Sequence, residues 1–191
     1  MSGFDAPPLP PPHAHPPPDD LSAPNSRSWQ GIHAVPLVPL RIATGVLMIH
    51  HGSEGGLGPA NFGTPQFDGF NDFVLKPYFS FLPGMPDSVA LWGALHDYAE
   101  FGGGILLALG FLTRPASFTL FGTMCAAVYF HLASTGLQGA PLGHVENYSY
   151  NFEEPALYAL IFLMFFFNGA GPLSVDSVIY KSLGGEESEG A

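Results

Sequence analysis

Apolar positions fall into four long blocks, separated by polar stretches rich in glycine and proline. The first block runs from about Val35 to His51 (VPLVPLRIATGVLMIHH) and the second from Val89 to Leu112. The third covers Ala116 to Leu137 and the fourth Pro155 to Gly171. Each approaches the ~20 residues needed to cross ~30 Å of hydrocarbon at ~1.5 Å per residue. None alternates with period two, and all are too long for barrel strands, so helices are the way to satisfy their backbone within lipid. The pattern predicts an all-α membrane protein, a four-transmembrane-helix bundle.

The segment ends carry helix chemistry. Glu153-Glu154-Pro155 reads as a helix start, with carboxylates complementing the dipole and proline in the first turn. Gly169, Gly171 and Pro172 read as the end of the same helix. Thr113-Arg114-Pro115 reads as a tight turn that makes the second and third helices antiparallel neighbours. The connection from Gly52 to Asp87 is long and carries Phe62, Phe67, Phe70, Phe73, Tyr78, Phe79 and Phe81. Aromatic rings favour the headgroup level, so this is expected to be an aromatic interfacial loop between helices 1 and 2. It would contain one short amphipathic helix near Phe70 to Phe81; a soluble lid is the alternative.

Three regions follow from the pattern. Residues 1–31 form a Pro-rich extended arm, residues 32–176 the membrane domain, and residues 177–191 an acidic tail. The arm holds His13 and His15, a pair too small to define a metal site. No basic region followed by an apolar core opens the chain, so the first membrane helix is expected to act as its own insertion signal.

Composition sharpens this picture. Charged residues make up 11% of the chain, against about 25% in ordinary soluble domains. The cations are Arg27, Arg41, Lys76, Arg114 and Lys181, too few and too scattered for the clustered phosphate contacts of nucleic-acid binding. The net charge of −11 resides mostly in the tails and loops. Placing Arg27, Arg114 and Lys181 on one side and Lys76 on the other puts both termini in the cytoplasm. The expected location is a bacterial inner membrane or an equivalent energy-transducing membrane. Cys125, the single cysteine, lies in an apolar run and reads as a small buried core residue; intrachain disulfide and CxxC chemistry are excluded.

With four antiparallel crossings, His50, His51, His96, Asp97, His131, Glu153 and Glu154 all fall in the outer half of the bundle. His96 and Glu100 are spaced i, i+4 and share one helix face. Counting along the helices places Arg41 and Glu100 near mid-membrane, where a charge costs at least about 2.5–3.5 kcal/mol. A structural ion pair Arg41–Glu100 is therefore expected. Gly102-Gly103-Gly104 with Ala99 gives a small-residue surface for close helix packing.

For any single histidine, interhelical hydrogen bonding accounts for its presence. The cluster says more, since ionisable groups in membranes usually line a pathway or site. His51, His96, Glu100, His131 and Glu154 are the candidate ligand-facing residues, with Glu100 also a candidate proton carrier. Three uses stay open, in descending order. The first is hydrogen bonding and proton exchange with a quinone. The second is a metal, although the full Glu-x-x-His pattern of di-iron bundles is missing and no metal ligands are assigned. The third is haem or a pigment bound through His, covalent haem c being excluded by the lack of CxxCH. P-loop, dinucleotide-glycine, GxSxG and HExxH motifs are absent from the sequence.

LRIATGVLMIHHG, AEFGGGILLALGFLTR, a late His131 and NFEEPALYALIFLMFFFNGAGPLSVD, in that order, together resemble the DoxX family. The resemblance spans about Leu40 to Asp176. It implies a four-helix membrane protein associated with quinone-linked redox systems, including thiosulfate:quinone oxidoreductase, or with membrane complexes handling oxidative stress. That family often carries a Lys soon after the HG closing helix 1; here Ser53, Glu54 and Gly55 follow. The reading that results is a DoxX-like subunit of a redox or electron-transfer assembly with a polar pocket for quinone. Its partners would be membrane lipid and the other subunits of that assembly. A non-catalytic structural or assembly subunit of a larger respiratory or photosynthetic complex is the competing reading. A transporter fits less well, as four helices without an inverted repeat lack the usual architecture.

Overall fold

The computed structural model describes residues 34–51, 53, 55–143 and 149–183. The Pro-rich arm expected at 1–31 and the tail beyond 183 lie outside the described residues. Every regular element among the described residues is helical. α1 spans Leu37–His51, and a helical stretch follows in three parts: α2 at Pro65–Phe70, a π turn at Asn71–Leu75 and α3 at Lys76–Tyr78. The two longest helices are α4, Val89–Leu109, and α5, Thr113–Thr135, followed by α6, Glu153–Asn168, and α7, Val175–Ser182. α1 packs along α4, α4 along α5, and α5 along α6. By length and composition α5 is long and apolar enough to cross a membrane, and α1 is a shorter apolar helix.

Met48, Leu107, Leu120, Phe162 and Phe165, from all four long helices, are fully buried between them. The register between α1 and α4 is set by backbone contact. A Cβ added at Gly45 would lie 2.6 Å from the Ala108 nitrogen and the Gly104 oxygen, so only glycine permits this approach. Gly103, one residue before Gly104, turns to the other side and meets Leu120 of α5. Gly110 then ends α4 in the left-handed conformation, φ 66°. Its N–H donates to the Leu107 carbonyl and that of Phe111 to Leu106, a Schellman arrangement that only glycine adopts without strain. The turn between α4 and α5 is thus Gly110–Leu112, three residues earlier than expected, and Thr113-Arg114-Pro115 form the first turn of α5.

This register separates two residues expected to pair. Arg41 lies level with Gly110, whereas Glu100 is ten residues back along α4, ~15 Å at helical rise. The ion pair Arg41–Glu100 does not form. Arg41, 1% exposed, instead donates from Nη1 to the Ala170 carbonyl at 2.5 Å and from Nη2 to the Leu173 carbonyl at 2.9 Å. Asp176 completes this inner-end lock. Its carboxylate accepts from the N–H groups of Leu112 and Thr113 at 2.8 and 3.0 Å, occupying orphan donors at the positive end of α5. Its own N–H donates to the Gly110 carbonyl at 2.9 Å. The closing GAGPLSVD segment therefore ties α6 to α1 and to the α4–α5 turn.

α7 was not anticipated as a helix, and the boundary expected at residue 176 falls inside it. A reciprocal capping box between Ser174 and Ser177 starts it. Cys125 also departs from expectation: it is exposed on α5 rather than buried.

At the opposite end α1 stops short. His51 ends near the level of Glu100, and α4 continues for the eleven residues Val89–Ala99 beyond it. The aromatic segment fills the place α1 leaves. Thr64 caps α2 by accepting from the Phe67 N–H, and Pro65 occupies the first turn. The helical stretch thus begins at Pro65, five residues before the expected Phe70. The π turn at Asn71–Leu75 precedes Pro77, which lacks an N–H and would crowd the carbonyl four residues back in regular α geometry. Asn71 and Phe67 pack closely on Gly93 of α4.

Candidate functional site

α1's early end, the aromatic segment and the start of α6 border a half-open cavity of about 1190 Å³ against α4 and α5. His51, His96, Glu100, His131 and Glu154 all line it. Their placement follows from topology: α1 and α5 deliver His51 and His131 at their ends, while α4 and α6 begin on this side. His50, the neighbour of His51, does not line the cavity.

The polar centre is on α4. The Glu100 carboxyl, 4% exposed, lies 3.4 Å from His96 Nε2, one helical turn away. The other ring nitrogen, Nδ1, lies 3.5 Å from the Asp97 carboxylate. One imidazole therefore faces a carboxyl on each side. Phe70 of the π-turn region covers the ring, centroids 4.6 Å apart. Thr123 of α5 lies near Glu100 across the helix pair, and its hydroxyl donates to the Leu120 carbonyl of its own helix at 2.9 Å. An imidazole so placed can take a proton at one nitrogen while releasing one from the other.

Asp97 is the residue sequence reasoning undervalued. Asn61 donates from Nδ2 to its carboxylate at 2.5 Å, and the Asn61 Oδ1 accepts from the Gly55 N–H at 2.7 Å. The Thr64 hydroxyl donates to the Asn61 carbonyl at 2.7 Å. Asp97 thereby anchors the whole start of the aromatic segment, and nothing in its own helix signals a partner 36 residues earlier in the chain.

The rest of the wall is apolar and aromatic. Phe67, Phe70, Phe79, Phe81 and Trp92 come from the aromatic segment and α4; Tyr129 and Phe130 come from α5. Phe79 and Phe81 form edge contacts to Tyr129, and Tyr78 to Phe130, which seat the segment on α5. Tyr150, Asn151 and Tyr158 close the α6 side. A largely apolar wall with a few convergent polar groups is the usual form of a small-molecule site. No group of three or more His, Cys, Asp or Glu among the described residues is arranged to hold a metal ion.

Comparison with known proteins bears on this arrangement. The DoxX family model matches residues 37–133, just over half of the chain, from the start of α1 to near the end of α5. A protein of Haemophilus influenzae described as uncharacterized is 39% identical over 83 residues. That match covers 43% of this chain and 58% of the relative, so the chain spans less than two thirds of that protein's length. No solved structure matches.

Proposed function

Because this chain belongs to the DoxX family of membrane proteins, we propose that α1, α4, α5 and α6 form a four-helix transmembrane bundle whose polar cavity binds a quinone. The bundle acts as a subunit of a redox or electron-transfer assembly in an energy-transducing membrane. The observation that carries this reading is one cavity combining the His96–Glu100 pair with an aromatic wall. A quinone presents two carbonyl acceptors on a flat apolar ring, and the cavity offers a complement to both. His96 donates to one carbonyl oxygen, and the second polar rim, His131 and Glu154, reaches the other. A bound quinone would supply the two-electron, two-proton chemistry, and Glu100 and His96, side by side at 3.4 Å, would be the groups that exchange protons beside it. A volume of about 1190 Å³ slightly exceeds the ~300–1000 Å³ of ordinary small-molecule sites, which leaves room for a substituted ring.

The membrane placement is supported by the outward faces of the long helices. Leu47, Leu91, Phe118, Leu157, Leu160 and Phe167 are all exposed, a surface that suits lipid and not water. The topology test uses a Cys125→Ala protein carrying either Ser134→Cys or Ser182→Cys. Ser134 lies one residue before the end of α5, and Ser182 ends α7. Membrane-impermeant thiol reagent added outside should label the first and not the second. Labelling of both from one side would refute four crossings and cytoplasmic termini.

The function test is gentle purification in detergent, followed by quantitation of extracted quinone. About one quinone per chain is expected in the native protein, with loss of most of it in Glu100→Ala. A protein that carries none, and that is found solely within a large complex indifferent to Glu100→Ala and His96→Ala, would support the structural-subunit reading instead.

A further inference from the structure

The cavity does not end at the polar cluster. Gly103 meets Leu120 and Glu100 lies by Thr123, so those pairs mark equal depths on α4 and α5. Thr119 also lines the cavity, four residues further toward the inner end than Thr123, ~6 Å at helical rise. The α5 residues lining this stretch are Thr119 and Gly122, while Ala126 and, across on α4, Ala99 line the cavity outward of the level of Glu100 and Thr123. Gly122 is exposed on the outer surface of α5 and also lines the cavity. A Cβ built on it would meet no atom within 4 Å. The neighbouring Cys125 is exposed and lines the cavity as well. The wall of α5 is therefore open sideways at Gly122, on the helix that by length and composition can cross a membrane.

We infer that the cavity is filled from the lipid through this lateral opening, and that its ligand is an amphiphile whose hydrocarbon chain leaves past Gly122 and Thr119 while its polar head rests at Glu100. The inference rests on the quinone reading and deepens it: the ligand carries a linear apolar chain, and Gly122 sets what chain can pass. A tail-free ring needs only the outer part of the cavity. A long-chain molecule needs the opening, through which its chain reaches the lipid. Packing does not require a glycine at position 122, where an added Cβ would meet no atom within 4 Å.

The test compares binding of three benzoquinones with a common ring and no chain, one isoprenoid unit or several units. The proteins are the full chain, Gly122→Leu and Gly102→Leu. Gly102 also meets nothing within 4 Å but does not line the cavity. Both substitutions replace a helical glycine with a better helix former, so folding should survive. In the full chain and in Gly102→Leu, affinity should rise with chain length. In Gly122→Leu the long-chain quinone should bind about tenfold more weakly, as expected for overfilling a passage, while the tail-free ring changes less than about twofold. Equal affinity for all chain lengths in the unaltered protein would overturn the lateral opening and leave the quinone reading standing. The same would follow if Gly122→Leu kept the full chain-length dependence. Failure of every quinone to bind would overturn the quinone reading and this inference with it.

Discussion

Arg41→Ala should unfold the inner end of the bundle and lower stability by about 3–5 kcal/mol, the largest loss expected from any single change. The guanidinium is almost fully buried and holds the carbonyls of Ala170 and Leu173. Removing it leaves a buried acceptor at Ala170 and a part-buried one at Leu173 without their donor, deletes a charge-assisted bond to each, and opens a cavity where three chain segments meet. Thermal unfolding in mild detergent measures this directly. Arg41→Lys should recover less than half of the loss, because an ammonium cannot reach two divergent carbonyls from one planar fork. Asp176→Ala should cost less, about 1–2 kcal/mol, through loss of the cap on α5. The Arg41→Ala, Asp176→Ala double variant should lose less than the sum of the singles, since both act on one lock. Strict additivity, or an Arg41→Ala protein as stable as the parent, would contradict the lock.

Gly45→Ala should have the next largest effect on the fold, about 1–3 kcal/mol. The added methyl would sit 2.6 Å from backbone atoms of Ala108 and Gly104, which cannot move aside as a flexible side chain would. The two helices must separate, and the effect should reach Arg41, because the same register carries it to the Gly110 level. Gly104→Ala meets the Gly45 oxygen at 2.7 Å and should behave alike. By contrast, Gly102→Ala, with no atom in range, should be neutral or slightly stabilising. A ranking by thermal unfolding in which Gly102→Ala cost as much as Gly45→Ala would show that helix propensity, and not close approach, governs these positions.

The four long helices were legible because each apolar run is long and bounded by recognisable chemistry. Observed starts and ends, such as Leu37–His51 against Val35 to His51, differ from expectation by a turn or less. The shared end of the five site residues was legible too, because alternating helix direction alone brings them together. The partner of Arg41 was not. It depends on how far α1 slides along α4, and that register is fixed by the contact of Gly45 with Gly104 and Ala108, which no spacing within one helix reveals. Asp97 was undervalued for a related reason: its partner Asn61 comes from an irregular stretch whose path is set by tertiary contacts. Two further local signals stand in the sequence. Thr64-Pro65 is a cap followed by a first-turn proline, and Ser174 with Ser177 has capping-box spacing.

The cavity around His96 and Glu100 should hold a quinone. The most direct measurement is quinone titration followed by tryptophan fluorescence. The chain has two tryptophans, and Trp92 lines the cavity, so a Trp29→Phe protein leaves it the sole reporter. A short-chain benzoquinone should quench Trp92 saturably at one equivalent per chain, with affinity at least about tenfold lower when Glu100→Ala is added, because the carboxyl 3.4 Å from His96 holds the imidazole that donates to the quinone. Quenching that rises linearly without saturation, and identically in both proteins, would contradict the claim.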